Sequence, residues 1–311
     1  MKKAIIKRIM KLCERVPSPD SRSLNEIFHH PSFTQASKQE RERIMLETSE
    51  RAYLDESQYY SFERCFRLDL APLLKGKIAL DLGCFTGGRA VAWAERYQLD
   101  KIYGIDVRDI YIEAAKNFTE RKCVAVKFVC AKGEKLPFED GGFDAILSFD
   151  VFEHVQDVRQ VLLECNRVLK RGGKLFVVFP SYFGPLDHHL TLVTLTPFVQ
   201  CFFSGRDLIE AYNEIIDERG AEASWYKRGN RDLEPWERCN TINGTTSRRF
   251  RELISDGNWR VYYEYHPPLL VGMSKKHRAL NLIKYAITPL AQLRGFEEFL
   301  SARIVYILEK P

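Results

Sequence analysis

The chain of 311 residues lacks several features that would define its class at once. None of its eight cysteines forms a C-x-x-C pair, so the sequence predicts neither a zinc site nor a disulfide framework. No apolar run reaches membrane-spanning length, and charged residues break the first apolar stretch too early for a signal peptide. We therefore expect a protein of the reducing cytoplasm.

The residues that are present are typical of a folded globular protein, with 45% apolar and 12% aromatic residues. The net charge of +5 is modest and is not gathered into one long run, so it neither demands nor excludes nucleic acid as a partner. A chain of this length can hold one large domain, or one domain with sizeable additions.

The most informative segment is the glycine-rich stretch KIALDLGCFTGG at residues 77–88. It begins as a buried strand that contains Asp81 and continues into a turn and a helix. Gly83 and Gly87 would let the backbone approach a ligand closely, next to the free N–H groups of the helix start. A second strand ends in Asp106, 19 residues beyond Gly87, where a carboxylate can accept ribose hydroxyls. Together these features predict a nucleoside-containing cofactor.

The spacing of the glycines favours S-adenosylmethionine over a nicotinamide dinucleotide. A dinucleotide fingerprint reads G-x-G-x-x-G and carries a pyrophosphate, whereas here Phe85 stands where the second glycine would be. Asp81 would repel a pyrophosphate but attract the cationic amino group of a methionine tail. Taken alone, the pattern also fits a strand end followed by an ordinary turn.

Strand and helix patterns alternate between residues 76 and 181, which predicts parallel strands with helical crossovers. The best-supported helix covers residues 157–169, with Asp157 as its N-cap and two glycines beyond its end. We predict an α/β, Rossmann-like fold: a seven-stranded, mostly parallel sheet with helices on both faces. The predicted strands cover residues 77–82, 101–106, 124–130, 143–148, 174–180, 259–265 and 302–309.

Four regions follow from this pattern. Residues 1–75 are predicted to be an N-terminal helical extension, 76–181 the cofactor-binding core, 182–244 an insertion after the fifth strand, and 245–311 the completion of the sheet. Ligands bind at the carboxyl ends of such strands, so the insertion would form a lid or acceptor site there. Its aromatic residues fit a lid and a separate small core equally well: Tyr182, Phe183, Phe198, Phe202, Phe203, Tyr212, Trp225, Tyr226 and Trp236.

Five segments in order give the chain its family resemblance. They are residues 80–84, 103–107, 134–138, 143–148 and 169–175. With them the chain resembles class I S-adenosylmethionine-dependent methyltransferases, of the small-molecule group related to the ubiquinone and menaquinone methyltransferases. The resemblance covers residues 76–181 well and the C-terminal strands weakly. It implies S-adenosylmethionine as the cofactor and a small-molecule methyl acceptor.

The resemblance also implies how the glycine-rich turn is used. Gly83 and Gly87 match positions where backbone wraps the methionine portion of the cofactor, and Cys84 and Phe85 lie between them. The negative charge of Asp81 is expected to attract the cationic amino group of the methionine tail. Phe85 replaces a usual glycine, so either the turn is shifted or the ring covers the cofactor.

The remaining cofactor contacts follow from the next strands. Asp106 matches the ribose-binding acid, with Val107 beside the adenine. Ser148 and Phe149 match the strand end whose carbonyls hold the methionine amino group.

Lys132 departs from the pattern, because many relatives have an aspartate there that accepts the adenine amino group. Lysine has no acceptor, so adenine recognition passes to Gly133, to Glu134 or elsewhere. With Phe85, this departure leaves a non-catalytic member of the fold as an alternative.

Histidines are the candidate catalytic residues, because methyl transfer to oxygen benefits from a base near neutral pH. His154 follows the fourth strand, and His188 and His189 begin the insertion. We predict O-methylation, with transfer to nitrogen or carbon as the alternative. Asp150, Glu153 and His154 with a later histidine also make a conceivable metal cluster. Exposed acids at a helix start are commoner than metal sites, so no metal is predicted.

Two basic features bear on partners. The first helix has apolar residues on one side and lysines and arginines on the other, which favours docking on its own domain over contact with an anionic membrane. The clusters at residues 248–251 and 275–278 suggest nucleic acid, but solvated helix surface explains the former as well. Nucleic acid is therefore an unlikely partner, and the sequence gives no oligomeric state.

Overall fold

The chain folds into two compact units. One contains residues 1–41 and 182–245, and the other contains residues 42–181 and 246–311. The N-terminal region is therefore shared between them, because its residues from 42 onward pack with the sheet. The computed structural model describes residues 2–16, 24–122, 124, 126–230, 235–238, 241–268 and 288–311.

The larger unit contains a seven-stranded sheet in the order β3-β2-β1-β4-β5-β7-β6. Strands β1 to β5 pair in parallel, and β7 runs antiparallel to both of its neighbours, β5 and β6. The predicted mostly parallel, seven-stranded sheet is thus confirmed. The strands are β1 (Ile78–Leu82), β2 (Lys101–Asp106), β3 (Val126–Cys130), β4 (Phe143–Phe149), β5 (Leu169–Pro180), β6 (Arg260–Tyr265) and β7 (Arg303–Glu309).

Short and long helices connect these strands and form the smaller unit. The α-helices are α1 (Lys2–Met10), α2 (Pro31–Thr34), α3 (Lys38–Tyr59), α4 (Ser61–Phe66), α5 (Ala71–Leu74), α6 (Gly88–Tyr97), α7 (Asp109–Lys122), α8 (Val158–Val168), α9 (Val199–Phe202), α10 (Gly205–Glu218), α11 (Ser247–Asp256) and α12 (Glu297–Leu300). Short 3₁₀ helices cover Lys11–Cys13, Leu24–His29, Ala221–Tyr226 and Arg228–Asn230. No helix among these described residues is long and apolar enough to cross a membrane.

Helices cover both faces of the sheet, as predicted. Successive side chains of a strand point to opposite faces. In β1, Leu80 joins the apolar cluster that includes α8 and α11, whereas Ala79 joins the cluster that includes α4, α6 and α7. The predicted N-cap of α8 is also confirmed, because the Asp157 side chain accepts a hydrogen bond of 3.1 Å from the backbone N–H of Gln160.

In the smaller unit, the basic face of α1 docks on the acidic face of α10. Ile6 and Met10 of α1 are buried in a shared apolar cluster. Beside them the lysines of α1 form ion pairs with α10: Lys2 with Asp207 at 2.6 Å, Lys3 with Glu214 at 3.1 Å, and Lys7 with Glu218 at 2.6 Å. Docking within the protein therefore accounts for the amphipathic pattern of this helix, without recourse to a membrane.

Candidate functional site

The glycine-rich turn after β1 needs its glycines for steric reasons. Gly83 has φ +82°, and an added Cβ would lie 2.2 Å from Cγ2 of Val151. Gly87 has φ +74°, and an added Cβ would lie 2.8 Å from the Cβ of Ala115 and from Cζ of Phe128. Left-handed backbone and the lack of space both exclude a side chain here. The turn consequently packs tightly against Val151, Ala115 and Phe128, and its backbone carries no side chain at Gly83 or Gly87 that would keep a ligand away.

The turn is also tied to the end of β2. The backbone N–H groups of Gly83 and Cys84 both donate to the carbonyl of Ile105, at 2.9 and 2.8 Å. Cys84 itself is buried in the apolar cluster below the turn. Its thiol is therefore a packing group, and the turn offers backbone rather than this side chain.

Phe85 adopts φ +48°, a left-handed conformation that favours glycine. Glycine would adopt this conformation without a steric cost, whereas phenylalanine does not. The backbone N–H of Phe85 donates to Oδ2 of Asp106 at 3.0 Å, and its ring meets that of Tyr111 edge to face with centroids 4.5 Å apart. The phenylalanine is thus accommodated by its contacts with the start of α7.

Asp106, at the carboxyl end of β2, is half-buried and holds the turn through its carboxylate. Oδ2 accepts from Phe85 and Oδ1 accepts from the backbone N–H of Arg108 at 3.3 Å. Burial raises the pKa of Asp106 to about 6, although these backbone hydrogen bonds oppose the shift. Each carboxylate oxygen has further lone pairs for a ligand. The adjacent Val107 side chain is exposed, and its packing beside adenine remains a prediction.

Three buried polar atoms near the ends of β1 and β4 have no hydrogen-bond partner among the described residues. They are Oδ2 of Asp81, Oγ1 of Thr86 and Oγ of Ser148. Leu82 of β1 is in register with Ser148 of β4, so these atoms lie near the ends of two neighbouring strands and in the turn that follows β1. Unsatisfied buried polar groups are costly. Such atoms fit a site that is completed by a polar ligand.

The carboxyl of Asp81 is the most demanding of these groups. Burial raises its pKa to about 7, the positive charge of Arg89 opposes this rise, and Asp106 and Glu56 reinforce it. A ligand ammonium group at this position would stabilise the ionised carboxylate and complete its hydrogen bonds. The site therefore fits the cationic amino group of S-adenosylmethionine.

Arg89, in the first turn of α6, was not among the residues that the sequence analysis selected. Its guanidinium lies 4.5 Å from the ring centroid of Phe149, and Nη1 donates to the carbonyl of Phe149 at 3.5 Å. The carbonyl that was predicted to bind the methionine amino group is therefore already shared with this cation. The helix dipole disfavours a cation in the first turn of a helix. An arginine at the predicted start of this helix could therefore have identified Arg89 from the sequence.

The loop that was predicted to recognise adenine contains both exposed and buried residues. Lys132 is exposed and Gly133 is buried. Oε1 of Glu134 accepts from the backbone N–H groups of Gln156 and Asp157, at 3.0 and 3.4 Å. The Glu134 carboxylate thus has a local role at the start of α8, and adenine recognition by its side chain remains a prediction.

The segment after β4 holds an acid and a base side by side. Glu153 is buried, its Oε2 has no hydrogen-bond partner in the described part of the chain, and its Oε1 lies 3.9 Å from Nε2 of His154. Burial raises the pKa of Glu153 to about 7, while His154 lowers it and Asp150 raises it. Asp150 itself forms an ion pair with Arg303, so its carboxylate links this segment to the start of β7.

The two histidines of the insertion differ in their surroundings. His188 is fully buried, its Nδ1 accepts from the backbone N–H of Leu190 at 3.0 Å, and burial lowers its pKa to about 4. It is consequently neutral near pH 7. His189 is half-buried with φ +54°, and its carbonyl accepts from Nη2 of Arg228 at 3.0 Å. A catalytic role for either histidine remains a prediction.

The aromatic residues of the insertion are used in two ways. Tyr212 is buried in the unit's own core, and its hydroxyl donates to the carbonyl of Tyr226 at 3.1 Å. Trp225 stacks on Tyr226 at 3.7 Å and meets the ring of His30 edge to face. Phe202, in contrast, is 76% exposed. The aromatic content thus reflects a small core at least in part.

The basic cluster on α11 is paired with acids. Arg248 and Arg249 both contact Glu252, at 3.2 and 3.3 Å, and Arg251 pairs with Glu297 and Glu264. Each of these three arginines therefore has an acid beside it, and the expectation that nucleic acid is not a partner remains a prediction. The second cluster, residues 275–278, lies outside the described residues.

Comparisons with known proteins bear on the same region. Residues 80–177 match a family described as a methyltransferase domain. Over 103 residues the chain is 34% identical to the ubiquinone biosynthesis O-methyltransferase of Coxiella burnetii, covering 33% of this chain and 43% of that protein. Over 143 residues it is 33% identical to the demethylmenaquinone methyltransferase of Thermus thermophilus, covering 44% of this chain and 64% of that protein.

A solved structure extends the likeness in fold. An S-adenosylmethionine-dependent methyltransferase from Mesorhizobium loti is similar with a TM-score of 0.50 and 13% identity, over 81% of this chain and 97% of that one. The sequence matches are shorter: the chain spans less than half the length of the ubiquinone relative and less than two thirds of the menaquinone relative.

Proposed function

We propose that the chain, whose residues 80–177 match a methyltransferase domain, is a class I S-adenosylmethionine-dependent methyltransferase that transfers a methyl group to an oxygen atom of a small molecule. The observation that carries the proposal is the set of unpartnered buried atoms on Asp81, Thr86 and Ser148 beside the glycine-rich turn. A cationic, hydrogen-bonding ligand tail would satisfy them.

This chain offers a distinct group to each part of the cofactor. The free lone pairs of Asp106 would accept the ribose hydroxyls, and the backbone at Gly83 allows close approach of the methionine portion. Asp81 would bind the ammonium group, with Arg89 limiting the cost of its burial. When bound, S-adenosylmethionine supplies an electrophilic methyl group on a cationic sulfur.

We assign proton removal to the pair of Glu153 and His154. As the new carbon–oxygen bond forms and the carbon–sulfur bond breaks, the acceptor hydroxyl would lose its proton to the imidazole of His154. Glu153, 3.9 Å away, would stabilise the imidazolium, and its raised pKa lets it share that proton near neutral pH. Alignment of the acceptor and exclusion of water account for the rest of the rate.

The relatives support the class of acceptor. One is named a ubiquinone biosynthesis O-methyltransferase and another a demethylmenaquinone methyltransferase, which favours a ring compound as acceptor, and the former favours oxygen as the methylated atom. We place acceptor choice in residues 182–244, the segment grafted onto the alternating core. Methylation of nitrogen or carbon on a similar compound is the alternative.

Titration calorimetry with S-adenosylmethionine and with its demethylated product tests the cofactor assignment. We expect both to bind, and Asp106→Ala to bind them more weakly than the wild type. Asp256→Ala is the matched control, because Asp256 is exposed on α11 and pairs with Arg159. If the wild type bound neither compound, the proposal would be wrong.

A second experiment identifies the methyl acceptor and the atom that is methylated. Cell extract is incubated with the protein and methyl-labelled cofactor, and the labelled product is identified by mass. With that product in hand, His154→Ala and Glu153→Gln should each slow turnover while cofactor affinity stays near the wild-type value. Nearly intact turnover in both variants would indicate that no base is needed and favour transfer to nitrogen or carbon.

A further inference from the structure

Arg89 is a cation with few partners at the carboxyl ends of β1 and β4. It lies in the first turn of α6 and is half-buried. Its hydrogen bond to the carbonyl of Phe149, at 3.5 Å, is longer than usual, and no acid within the described part of the chain forms an ion pair with it. A guanidinium carries five N–H donors, so most of those on Arg89 have no partner among the described residues.

Aromatic rings fix the position of this guanidinium. Its Cζ lies 4.5 Å from the ring centroid of Phe149, at the end of β4, and 5.8 Å from that of Trp93, one turn further along α6. Both rings are buried. Contact with ring faces leaves the N–H groups of a guanidinium free to donate in its own plane. Arg89 is therefore preorganised for a planar anion such as a carboxylate.

Two acids lie near Arg89 without forming an ion pair with it. After burial, the charge of Arg89 has the largest effect on the pKa values of Asp81 and of Glu56 in α3, and it lowers both. The Glu56 carboxylate accepts from the backbone N–H of Phe62 at 3.3 Å, whereas Oδ2 of Asp81 has no hydrogen-bond partner in the described part of the chain. Asp81 is in register with Leu147 of β4. An acid and a cation with unused hydrogen-bonding capacity therefore lie at the ends of adjacent strands.

Such a pair complements the end of an α-amino acid, in which one carbon carries both an ammonium group and a carboxylate. The proposed function assigns the ammonium group of S-adenosylmethionine to Asp81. We propose that Arg89 binds the carboxylate of the methionine portion through its guanidinium N–H groups, an assignment that rests on the proposed function. The start of α6 adds positive partial charge on the same side. A bound carboxylate would also offset the unfavourable placement of a cation in this first turn.

Titration calorimetry with two forms of the cofactor tests this assignment. Decarboxylated S-adenosylmethionine lacks the carboxylate but keeps the ammonium and sulfonium groups. We expect the wild type to bind S-adenosylmethionine at least about tenfold more tightly than the decarboxylated compound. Arg89→Gln should bind S-adenosylmethionine at least about tenfold more weakly than the wild type, and the decarboxylated compound within about threefold of it.

Two further variants sharpen the measurement. Arg89→Lys keeps the charge but not the planar fork, so its preference for the carboxylated compound should lie between those of the wild type and Arg89→Gln. Arg96→Gln is the matched control, because Arg96 lies on the same helix and pairs with Glu63. It should leave both dissociation constants near their wild-type values. Melting curves establish that each variant is folded, and the wild-type comparison requires no variant.

The possible failures are distinguishable. Equal affinity of the wild type for the two compounds would overturn the role of Arg89 and leave the cofactor assignment intact. An equal loss of affinity for both in Arg89→Gln would overturn it too, because the arginine would then act only through the charge of Asp81. Binding of neither compound by the wild type would instead overturn the proposed function, and the role of Arg89 with it.

Discussion

The two units of the chain handle polar groups differently. In the larger unit, buried polar atoms at the strand ends lack partners, Gly83 is in left-handed backbone, and Asp81 has a raised pKa. In the smaller unit, lysines of α1 meet acids of α10, and Tyr212 bonds to Tyr226. The smaller unit also has buried polar atoms without a partner among the described residues, at His188, Gln200 and Arg219. What distinguishes the larger unit is that three such atoms lie at the ends of β1 and β4 and in the turn after β1, beside left-handed glycines that leave the backbone accessible.

The sharpest way to break this comparison is to add one methyl group at a glycine of each unit. Gly83→Ala would place Cβ 2.2 Å from Val151 at φ +82°. We expect cofactor affinity to fall by more than about 100-fold and stability to fall by about 3 kcal/mol or more. Gly220 in the smaller unit has φ +90° but no atom within 4 Å of an added Cβ. Gly220→Ala should therefore cost only backbone strain, about 1–3 kcal/mol, without a steric clash.

Calorimetry and urea unfolding measure both variants. Equal losses in the two would show that the turn after β1 is under no special steric constraint.

Removing the carboxylate of Asp106 should have the next largest effect. Asp106→Ala loses the acceptor of the ribose hydroxyls and the anchor of Phe85, so we expect cofactor affinity to fall about 10- to 100-fold. Asp207→Ala removes an acid of the smaller unit that bonds to Lys2, and should leave that affinity unchanged. An unaltered dissociation constant for Asp106→Ala would mean that the ribose is bound elsewhere.

A third change should stabilise the protein while impairing its site. Burial raises the pKa of Asp81 from 3.8 to about 7, so ionisation destabilises the ligand-free fold increasingly as the pH rises through this range. We expect Asp81→Asn to increase the free energy of unfolding by about 2–4 kcal/mol at pH 8, and the gain to shrink as the pH falls toward 4.

Urea unfolding across pH measures this gain, with Asp256→Asn as a surface control. The same Asp81→Asn variant should bind S-adenosylmethionine more weakly, because the negative charge opposite the ammonium group is lost. A variant that is less stable than the wild type at pH 8 would show that Arg89 already compensates the carboxylate.

The smallest expected effect concerns the cofactor affinity of variants in the smaller unit. His188→Ala, His189→Ala and Trp225→Ala should leave it within a few-fold, about 1 kcal/mol, while acceptor turnover changes. Steady-state kinetics with the identified acceptor provide the measurement, and melting curves check that the buried His188 is replaced without unfolding. Unchanged acceptor kinetics in all three would move the acceptor site away from residues 182–244.

The sequence predicted the sheet well because buried parallel strands are short apolar runs with clear ends. The second strand was placed at its observed limits, Lys101–Asp106. The fifth was predicted to begin at residue 174 but begins at Leu169, directly after α8. Its first residues read as a glycine-containing loop, yet Leu169 pairs with Phe143 ahead of a register shift, and such irregular pairing has no simple sequence period.

The site was predictable only as far as backbone geometry defines it. Gly83, Gly87 and Asp106 follow from turn chemistry and strand ends. The role of Arg89 and the full burial of His188 depend on which side chains surround them, and neither neighbourhood is local in sequence. For the same reason, the periodicity of the N-terminal helices did not show that residues 1–41 belong with the insertion.

The position of β7 has a consequence for folding. Because β7 lies between β5 and β6, β6 has no strand partner among the described residues until β7, which follows it in the chain, has been made. Synthesis proceeds from the N-terminus, so the sheet acquires its final two strands late and through contacts of long sequence separation, which are slow to form. Until then the outer edge of β5 is an open template for mispairing, and the nascent protein is most vulnerable to aggregation at that stage.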